Sequence, residues 1–476
     1  MIENTRKQYL ISAVPRDLPT MTATRLSCGA YLYVGKGLNV QQFNDARNRK
    51  YIILGNAFCT DMANRSVADD IQSFDGENIN VLVKSWTGRW MLIADTEIQT
   101  DACGLMSAFY TQGEDWCISS SLAIMSQILK VKPTKTVSDF GLTWQLLPNT
   151  LVEGVKCMFC TEKFIVKDRI LNVYHNQWVT DYTYLTTDEK VERISQVLKA
   201  AMKNIELFSG LNIMLALTSG RDSRLLLAAA LASDIKFSTY TMQHENISVS
   251  DKKLPAKIAK SLGLVHRYIK AERFSVFKVE EYLTFNAGNS TGADIMFYAH
   301  GQSAKIPSDT VVIRGSVFEA ARTFGRSIAT SDLDGFQKGY EAYYQTSLQD
   351  PLQADSFKQW LKYVEKNPIS FIDIRDRMYV EQRVGGWVAA IEQSLDINEW
   401  TSIQIANCRE LISVLLSATE EERNAASLSI GAINQLCSSL NRYPYNQSSI
   451  CDKIRLIKNV LLNPTRLKRF IKKLIK

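Results

Sequence analysis

Six consecutive residues carry the densest chemistry in this chain: Thr218-Ser219-Gly220-Arg221-Asp222-Ser223. An apolar run ahead of them (Leu211, Ile213, Met214, Leu215, Ala216, Leu217) predicts a strand, and the Ala/Leu-rich sequence from about Ser223 predicts a helix. A tight loop between the two aims several backbone N–H groups and the positive end of a helix at one point, which attracts phosphate. Arg221 and Arg224 add two cations, and the Asp222 carboxylate could hold a Mg²⁺ that bridges phosphate oxygens. The implied guest is a nucleotide. An ordinary buried strand-helix unit with a polar turn would look similar, so the flanking sequence must discriminate.

A second segment, Val311 to Arg326, repeats the order strand, Gly turn, helix around Gly315, Glu319, Arg322 and Arg326. Arginines near a helix start oppose the helix dipole, which favours acids at that end. They suit a triphosphate or an acidic substrate better. A solvated surface helix with Glu and two Arg at i, i+3 and i+7 is the plain alternative.

Residues 187 to 208 repeat apolar positions (Val191, Ile194, Val197, Leu198, Ala201) at helical spacing and lead into the loop strand. After the loop helix come a strand at 237–242, Ser250-Asp251 with a helix at 254–262, and the short strand G-L-V-H-R-Y-I. This alternation predicts an α/β fold with a doubly wound parallel sheet, whose ligands sit beyond the carboxyl ends of the strands. From about Ser331 onward the chain reads as helical.

T-S-G-R-D-S resembles the S-G-G-x-D-S pyrophosphate loop of the N-type ATP pyrophosphatases, the group that includes asparagine synthetase. Gly220, Asp222 and Ser223 match, Thr218 is a mild change, and Ser219 replaces a glycine. The order continues: Asp251, Ala256 and L-G-L-V-H (262–266) fill the places of the D-x-x-x-A and L-G-x-x-H segments, and Gly315 with Glu319 fills a G-x-G-x-D-E turn, with Val317 at its second glycine. Tyr379, Arg383 and Trp387 resemble a Y-x-x-x-R-x-x-x-W helix of asparagine-synthetase-like proteins from glycan gene clusters. The resemblance implies an adenine nucleotide alpha hydrolase-like domain with a helical carboxyl half. It places ATP on Thr218, Ser219, Gly220, Arg221, Ser223, Arg224, Thr241, Asp251 and Gly315. Mg²⁺ falls on Asp222 and Glu319, and Asp222, Glu319 and Arg322 are the catalytic set. The implied reaction is attack of a substrate carboxylate on the α-phosphorus of ATP, then displacement of AMP by an amine. Arg383 is a candidate substrate anchor, whereas His266, with no catalytic neighbour in sequence, reads as structural.

Residues 1 to about 175 read as β-rich, with AYLYVG, KYIILG, INVLVK, RWMLIA, SAFYT and DWCISSS as strand candidates. W-T-G-R-W, D-A-C-G and W-C-I-S-S-S, in that order, resemble the Ntn-hydrolase-like glutaminase domain of asparagine synthetases. That chemistry needs an amino-terminal cysteine exposed by removal of Met1. Here residue 2 is Ile, so the expected domain is degenerate and the amine donor is ammonia or an amine-bearing substrate. Ser27-Cys28-Gly29 would be an alternative start only after cleavage at Ser27.

The expected boundaries are 1–185 (glutaminase-like), 186–450 (synthetase-like) and 451–476 (tail). Hydrophobic residues at 46% and charged residues at 22% describe a globular protein. MIENTRKQYL is polar and no run of about 18 apolar residues occurs, so a cytoplasmic protein is expected. The nine cysteines lack framework spacing, and Cys157-Met-Phe-Cys160 reads as structural. Net charge is +7, yet residues 452–476 alone hold nine Lys/Arg against one Asp, which leaves the body near neutral and argues against a nucleic-acid groove. That amphipathic tail could touch an anionic membrane or pack on the protein. The expected partner is a small-molecule or sugar carboxylate, and an oligomer is compatible with the sequence. The two competing functions are an inactive asparagine-synthetase-like scaffold and a PP-loop tRNA-modifying enzyme, the second disfavoured by the neutral body.

Overall fold

The computed structural model describes residues 5–135, 137, 142–244, 247–270, 282–291, 306–322, 328, 333–343, 347–446, 449 and 452. Its first twelve strands form two antiparallel sheets. One holds β1 (Tyr9–Ser12), β2 (Met21–Arg25), β3 (Tyr31–Gly35), β8 (Phe109–Tyr110), β9 (Cys117–Ser119) and β10 (Lys156–Cys157), in the order β10-β8-β9-β1-β3-β2. The other holds β4 (Val40–Asn44), β5 (Lys50–Cys59), β6 (Trp86–Ala94), β7 (Glu97–Thr100), β11 (Glu162–Lys167) and β12 (Ile170–His175), in the order β12-β11-β7-β6-β5-β4.

The two sheets face each other, and side-chain alternation along the strands builds three cores from them. Met91 and Ile93 of β6 meet Tyr9 and Ile11 of β1 between the sheets. Trp86, Trp90 and Leu92 point the other way, onto Val67 and Ile71 of helix α1 (Val67–Ser73) and Ile79 and Leu82 of α2 (Ile79–Leu82). Helix α3 (Leu122–Leu129) covers the outer face of the first sheet. The result is a helix–sheet–sheet–helix stack. One strand expectation fails: INVLVK contains α2. Asn78 caps it by accepting the Asn80 N–H at 3.0 Å, and Ile79 and Leu82 share its buried side while Val81 is 66% exposed. A three-residue spacing of buried positions is a helical pattern that the run of β-branched residues hid.

The remaining strands form the expected parallel sheet: β13 (Asn212–Ala216), β14 (Phe237–Gln243), β15 (His266–Lys270), β16 (Thr310–Arg314) and β17 (Thr401–Gln404), ordered β15-β14-β13-β16-β17 with every pair parallel. Ile213 and Leu215 of β13 face helices α4 (Thr187–Ser209) and α5 (Arg221–Ala232), while Met214 faces Tyr240 and Trp400 on the opposite side. Helix α6 (Val249–Ser261) joins β14 to β15. The order reverses direction between β13 and β16, and the carboxyl ends flanking such a reversal form the crevice where open α/β sheets bind ligands.

The carboxyl half adds α7 (Leu333–Tyr343), α8 (Pro351–Lys366), α9 (Ile374–Arg377), a π-helical stretch Met378–Val388, α10 (Ala389–Ser394), α11 (Arg409–Leu416), α12 (Glu420–Ala425) and α13 (Ser427–Cys437). Buried polar groups tie this half to the antiparallel sheets. Arg409 donates to Asn80 and Gln99 at 2.8 Å each and to the Thr100 carbonyl at 3.1 Å, and Arg89 pairs with Asp396 at 2.6 Å. Cys157 and Cys160 are buried free thiols whose pKa values burial raises, as befits packing residues. Cys28 lies in the turn that joins the register-paired strands β2 and β3, where cleavage would sever a hairpin. Among the described residues no helix is long and apolar enough to cross a membrane. The tail segment 453–476 lies outside the described residues.

Candidate functional site

The loop between β13 and α5 sits at the carboxyl end of β13, on the reversal point of the sheet. Helix α5 begins at Arg221, two residues before the sequence expectation, because Gly220 serves as its N-cap without a side-chain cap. The first-turn N–H groups are therefore left to whatever approaches the helix end. The loop is otherwise internally braced. Ser223 Oγ accepts the Thr218 N–H at 3.0 Å and lies 2.9 Å from Thr218 Oγ1, which in turn accepts the Gly220 N–H at 3.1 Å.

Two expected nucleotide residues hold the loop from neighbouring elements. Asp251 Oδ1 accepts the Ser219 N–H at 2.6 Å, while its Oδ2 accepts from Ser248 Oγ at 2.8 Å as part of the α6 cap. Thr241, on β14, donates to the Leu217 carbonyl at 2.6 Å and is 3% exposed. His266 bridges the strands, with Nδ1 2.9 Å from Thr239 Oγ1 and Nε2 3.4 Å from Thr241 Oγ1. Burial lowers its pKa, which fits the structural role expected of it.

Arg224 requires a correction. It was expected on phosphate but is fully buried, and its guanidinium donates to three backbone carbonyls: Tyr443 at 2.5 Å, Ser219 at 2.8 Å, and Pro444. Its guanidinium carbon stacks 4.0 Å from the centroid of the Tyr445 ring. With both terminal nitrogens committed to carbonyls and only the buried Nε left without a partner, the fork is closed off from a phosphate at the loop mouth. Instead it fastens residues 443–446 against the loop, where the Asn446 N–H also donates to the Ser219 carbonyl at 3.2 Å. This strap had no signal in the local sequence, because its two sides lie more than 200 residues apart.

The second segment reaches the same place from β16. Residues Ser316–Ala321 form a 3-10 turn rather than the expected α-helix. Its start is fixed from outside: the Ser316 N–H donates to Gln404 Oε1 at 2.9 Å and the Ser316 carbonyl accepts from Tyr379 Oη at 2.9 Å. Gly315 packs so closely on α5 that a Cβ there would lie 3.3 Å from Leu226 and 3.1 Å from Phe318. This close approach brings Glu319 and Arg322 over the start of α5. Arg322 pairs directly with Asp222 Oδ2 and lies 3.7 Å from Glu319. Arg326 lies outside the described residues.

Asp222, Glu319 and Arg322 thus form one cluster. Asp222 Oδ1 is buried with no hydrogen-bond partner, as is Arg221 Nε. Burial raises the Asp222 carboxyl, opposed by Arg322 and Arg221. A buried carboxylate oxygen without a donor is an uncompensated cost that a cation would relieve. With Glu319 alongside, the pair offers the one or two carboxylates that Mg²⁺ commonly takes from protein. Behind the cluster, Tyr379 is buried and Arg383 stacks 4.4 Å from the Trp387 centroid and 5.9 Å from that of Trp144. These three residues ride on the π-helical stretch, a distortion frequent at functional sites.

A second group with ligand-like composition, Cys59, Asp61 and Asp70, is explained without a metal. Asp70 is engaged by Arg65, by the Cys59 thiol at 2.8 Å and by Trp86 Nε1 at 2.8 Å.

No protein-family profile matches the chain, and no curated protein matches it by sequence. Solved structures give distant likenesses. An NH3-dependent NAD synthetase from Campylobacter jejuni, solved with nitrate, shows 10% identity and a TM-score of 0.21, covering 39% of this chain and 89% of its own. An NMN synthetase from Francisella tularensis shows 12% identity and a TM-score of 0.22, over 42% of this chain and 94% of its own. A glutamine-dependent NAD+ synthetase from Acinetobacter baumannii, solved with ADP, shows 13% identity and a TM-score of 0.22, over 58% of this chain and 59% of its own.

Proposed function

We propose that the protein is an ATP-dependent, AMP-forming ligase of the asparagine-synthetase-like type, which activates a carboxylate and transfers an amine to it. The observation that carries this is the half-buried Asp222 carboxylate, with its inner oxygen unpartnered, at the uncapped start of α5, paired with Arg322, which also lies beside Glu319 at the sheet's reversal point.

In this arrangement the N–H groups of the first turn of α5 and the Arg221 guanidinium bind the phosphates. Asp222 Oδ1 and Glu319 would hold Mg²⁺, which neutralises phosphate charge when bound. Arg322, paired with Asp222 in this structure, exchanges that partner for phosphate oxygens and stabilises the charge developing on pyrophosphate. Displacement at phosphorus then needs positioning and charge neutralisation rather than a protein nucleophile. Arg383 anchors the substrate carboxylate. The amine donor in this proposal is ammonia or an amine-bearing substrate rather than glutamine. A cytoplasmic setting is part of this proposal.

ATP–pyrophosphate exchange across a panel of small and sugar carboxylates tests the assignment. Exchange should depend on one carboxylate class and fall about a thousandfold in Asp222→Ala; undiminished exchange in that variant rejects the loop as the site. Glutamate release from glutamine would reject the loss of glutaminase.

One observation favours a second reading, an inactive scaffold: Arg322 already neutralises Asp222. A scaffold of this kind should not bind ATP with Mg²⁺.

A further inference from the structure

One cavity lies away from the loop. It has a volume of about 290 Å³ and opens between the antiparallel half and the amino ends of the parallel strands. Strands β4 and β5 and the start of α1 form one wall; the end of α4 and the starts of β16 and β17 form the other. The phosphate loop lies at the opposite end of β13, roughly 15–20 Å away at the rise of a β-strand.

Its lining is chemically selective. Charged residues make up 22% of the chain, yet none of the fifteen lining residues is charged. Neutral hydrogen-bonding groups take their place. Asn39 Nδ2 donates to Asn56 Oδ1 at 3.3 Å, and among the described residues Asn39 Oδ1 and Asn56 Nδ2 have no hydrogen-bond partner. Among the described residues nothing pairs with the Gln41 amide or the Thr401 hydroxyl, both of which line the cavity. Phe43, Phe58 and Phe208 line it too; Phe58 is nearly buried in the core, whereas Phe208 is 47% exposed, a large area for an aromatic residue to leave to solvent.

We propose that this interdomain cavity is a binding site for an uncharged, polyhydroxylated ligand, a neutral saccharide unit, separate from the ATP loop. Amide and hydroxyl side chains match the alternating donors and acceptors of sugar hydroxyls, and the phenyl faces match the C–H face of a pyranose ring. The absence of charge selects against acidic sugars and phosphates, whose desolvation would go uncompensated. The volume lies at the lower end of ligand cavities (roughly 300–1,000 Å³), enough for one ring. Bound there, the sugar would bridge the two halves of the molecule.

Saturation-transfer NMR on the full chain, with methyl β-D-glucopyranoside as probe and D-glucuronate as the charged control, decides the matter. Transfer to the neutral glycoside should exceed that to glucuronate and should persist with ATP present. It should weaken about three- to tenfold in affinity in Gln41→Ala, which removes the amide, and disappear in Ala68→Phe, which fills the cavity. No transfer to the glycoside, equal or stronger transfer to glucuronate, or unchanged affinity in both variants overturns the proposal. Because the site does not involve the loop, its failure leaves the ATP assignment standing, and the reverse holds too.

Discussion

Asp101, buried in the antiparallel half, and Asp222, half-buried at the parallel sheet with one oxygen turned inward, are treated in opposite ways. Asp101 is fully buried, and its two oxygens accept backbone N–H groups from Trp90, Cys103, Leu105 and Met106 at 2.8–3.3 Å. It organises the D-A-C-G turn that follows β7. Asp222 has one oxygen on Arg322 and the other on nothing. A carboxylate satisfied by four backbone donors is a structural device; one with an unpartnered oxygen retains an open acceptor. Glu162 falls between them, half-buried with a single Phe159 N–H at 2.9 Å.

The contrast predicts separable effects. Asp101→Ala leaves four buried N–H groups without an acceptor and should destabilise the protein by about 4 kcal/mol or more, read by denaturant unfolding or by loss of soluble protein. Asp222→Asn should cost no more than about 1 kcal/mol by the same measurement, since it removes an incompletely satisfied charge. Equal stability losses would erase the distinction between the two aspartates.

Glu162 supplies a pH test. Burial pushes its carboxyl up to about 7, with the Phe159 N–H opposing and Glu381 reinforcing the rise. A raised carboxyl means the folded protein binds the proton more tightly than the unfolded chain. Its stabilising contribution is therefore complete below the unfolded value near 4.5 and is lost as pH rises through about 7. Unfolding free energy should carry a downward component of about 3 kcal/mol across that window, absent from Glu162→Gln. An identical pH profile for the two proteins would contradict the assignment.

The smallest expected effect is at Arg224. Arg224→Lys keeps the charge but loses the fork, so about 1–2 kcal/mol of strap attachment should go. Hydrogen exchange at residues 217–223 and 443–446 should accelerate together. Acceleration at one segment alone would show that the two are not joined through this side chain.

The loop and its sheet were readable because their signals are local: an apolar run, a polar turn and a helix with its start written in a few residues. The parallel order β13, α5, β14, α6, β15 followed from the same periodicity. What escaped was decided by tertiary contacts. Arg224 looks like a phosphate cation beside T-S-G-R-D-S, and only residues 443–445 reveal its engagement. The turn after Gly315 is 3-10 because Gln404 and Tyr379, from distant elements, fix both sides of Ser316. INVLVK has strand composition, but its Asn78 cap and the aromatic face of β6 make it a helix. Arg322 pairs with Asp222 and lies near Glu319 because each of the three sits just past the carboxyl end of one of two adjacent strands.

The central claim is that Asp222 and the start of α5 form a working Mg²⁺·ATP site. Isothermal titration of the full chain with ATP, in the presence and absence of Mg²⁺, tests it most directly. The account predicts saturable binding that requires Mg²⁺ and is lost in Asp222→Asn while that variant stays folded. No binding to the unaltered protein, or Mg²⁺-dependent binding that survives Asp222→Asn, would contradict it.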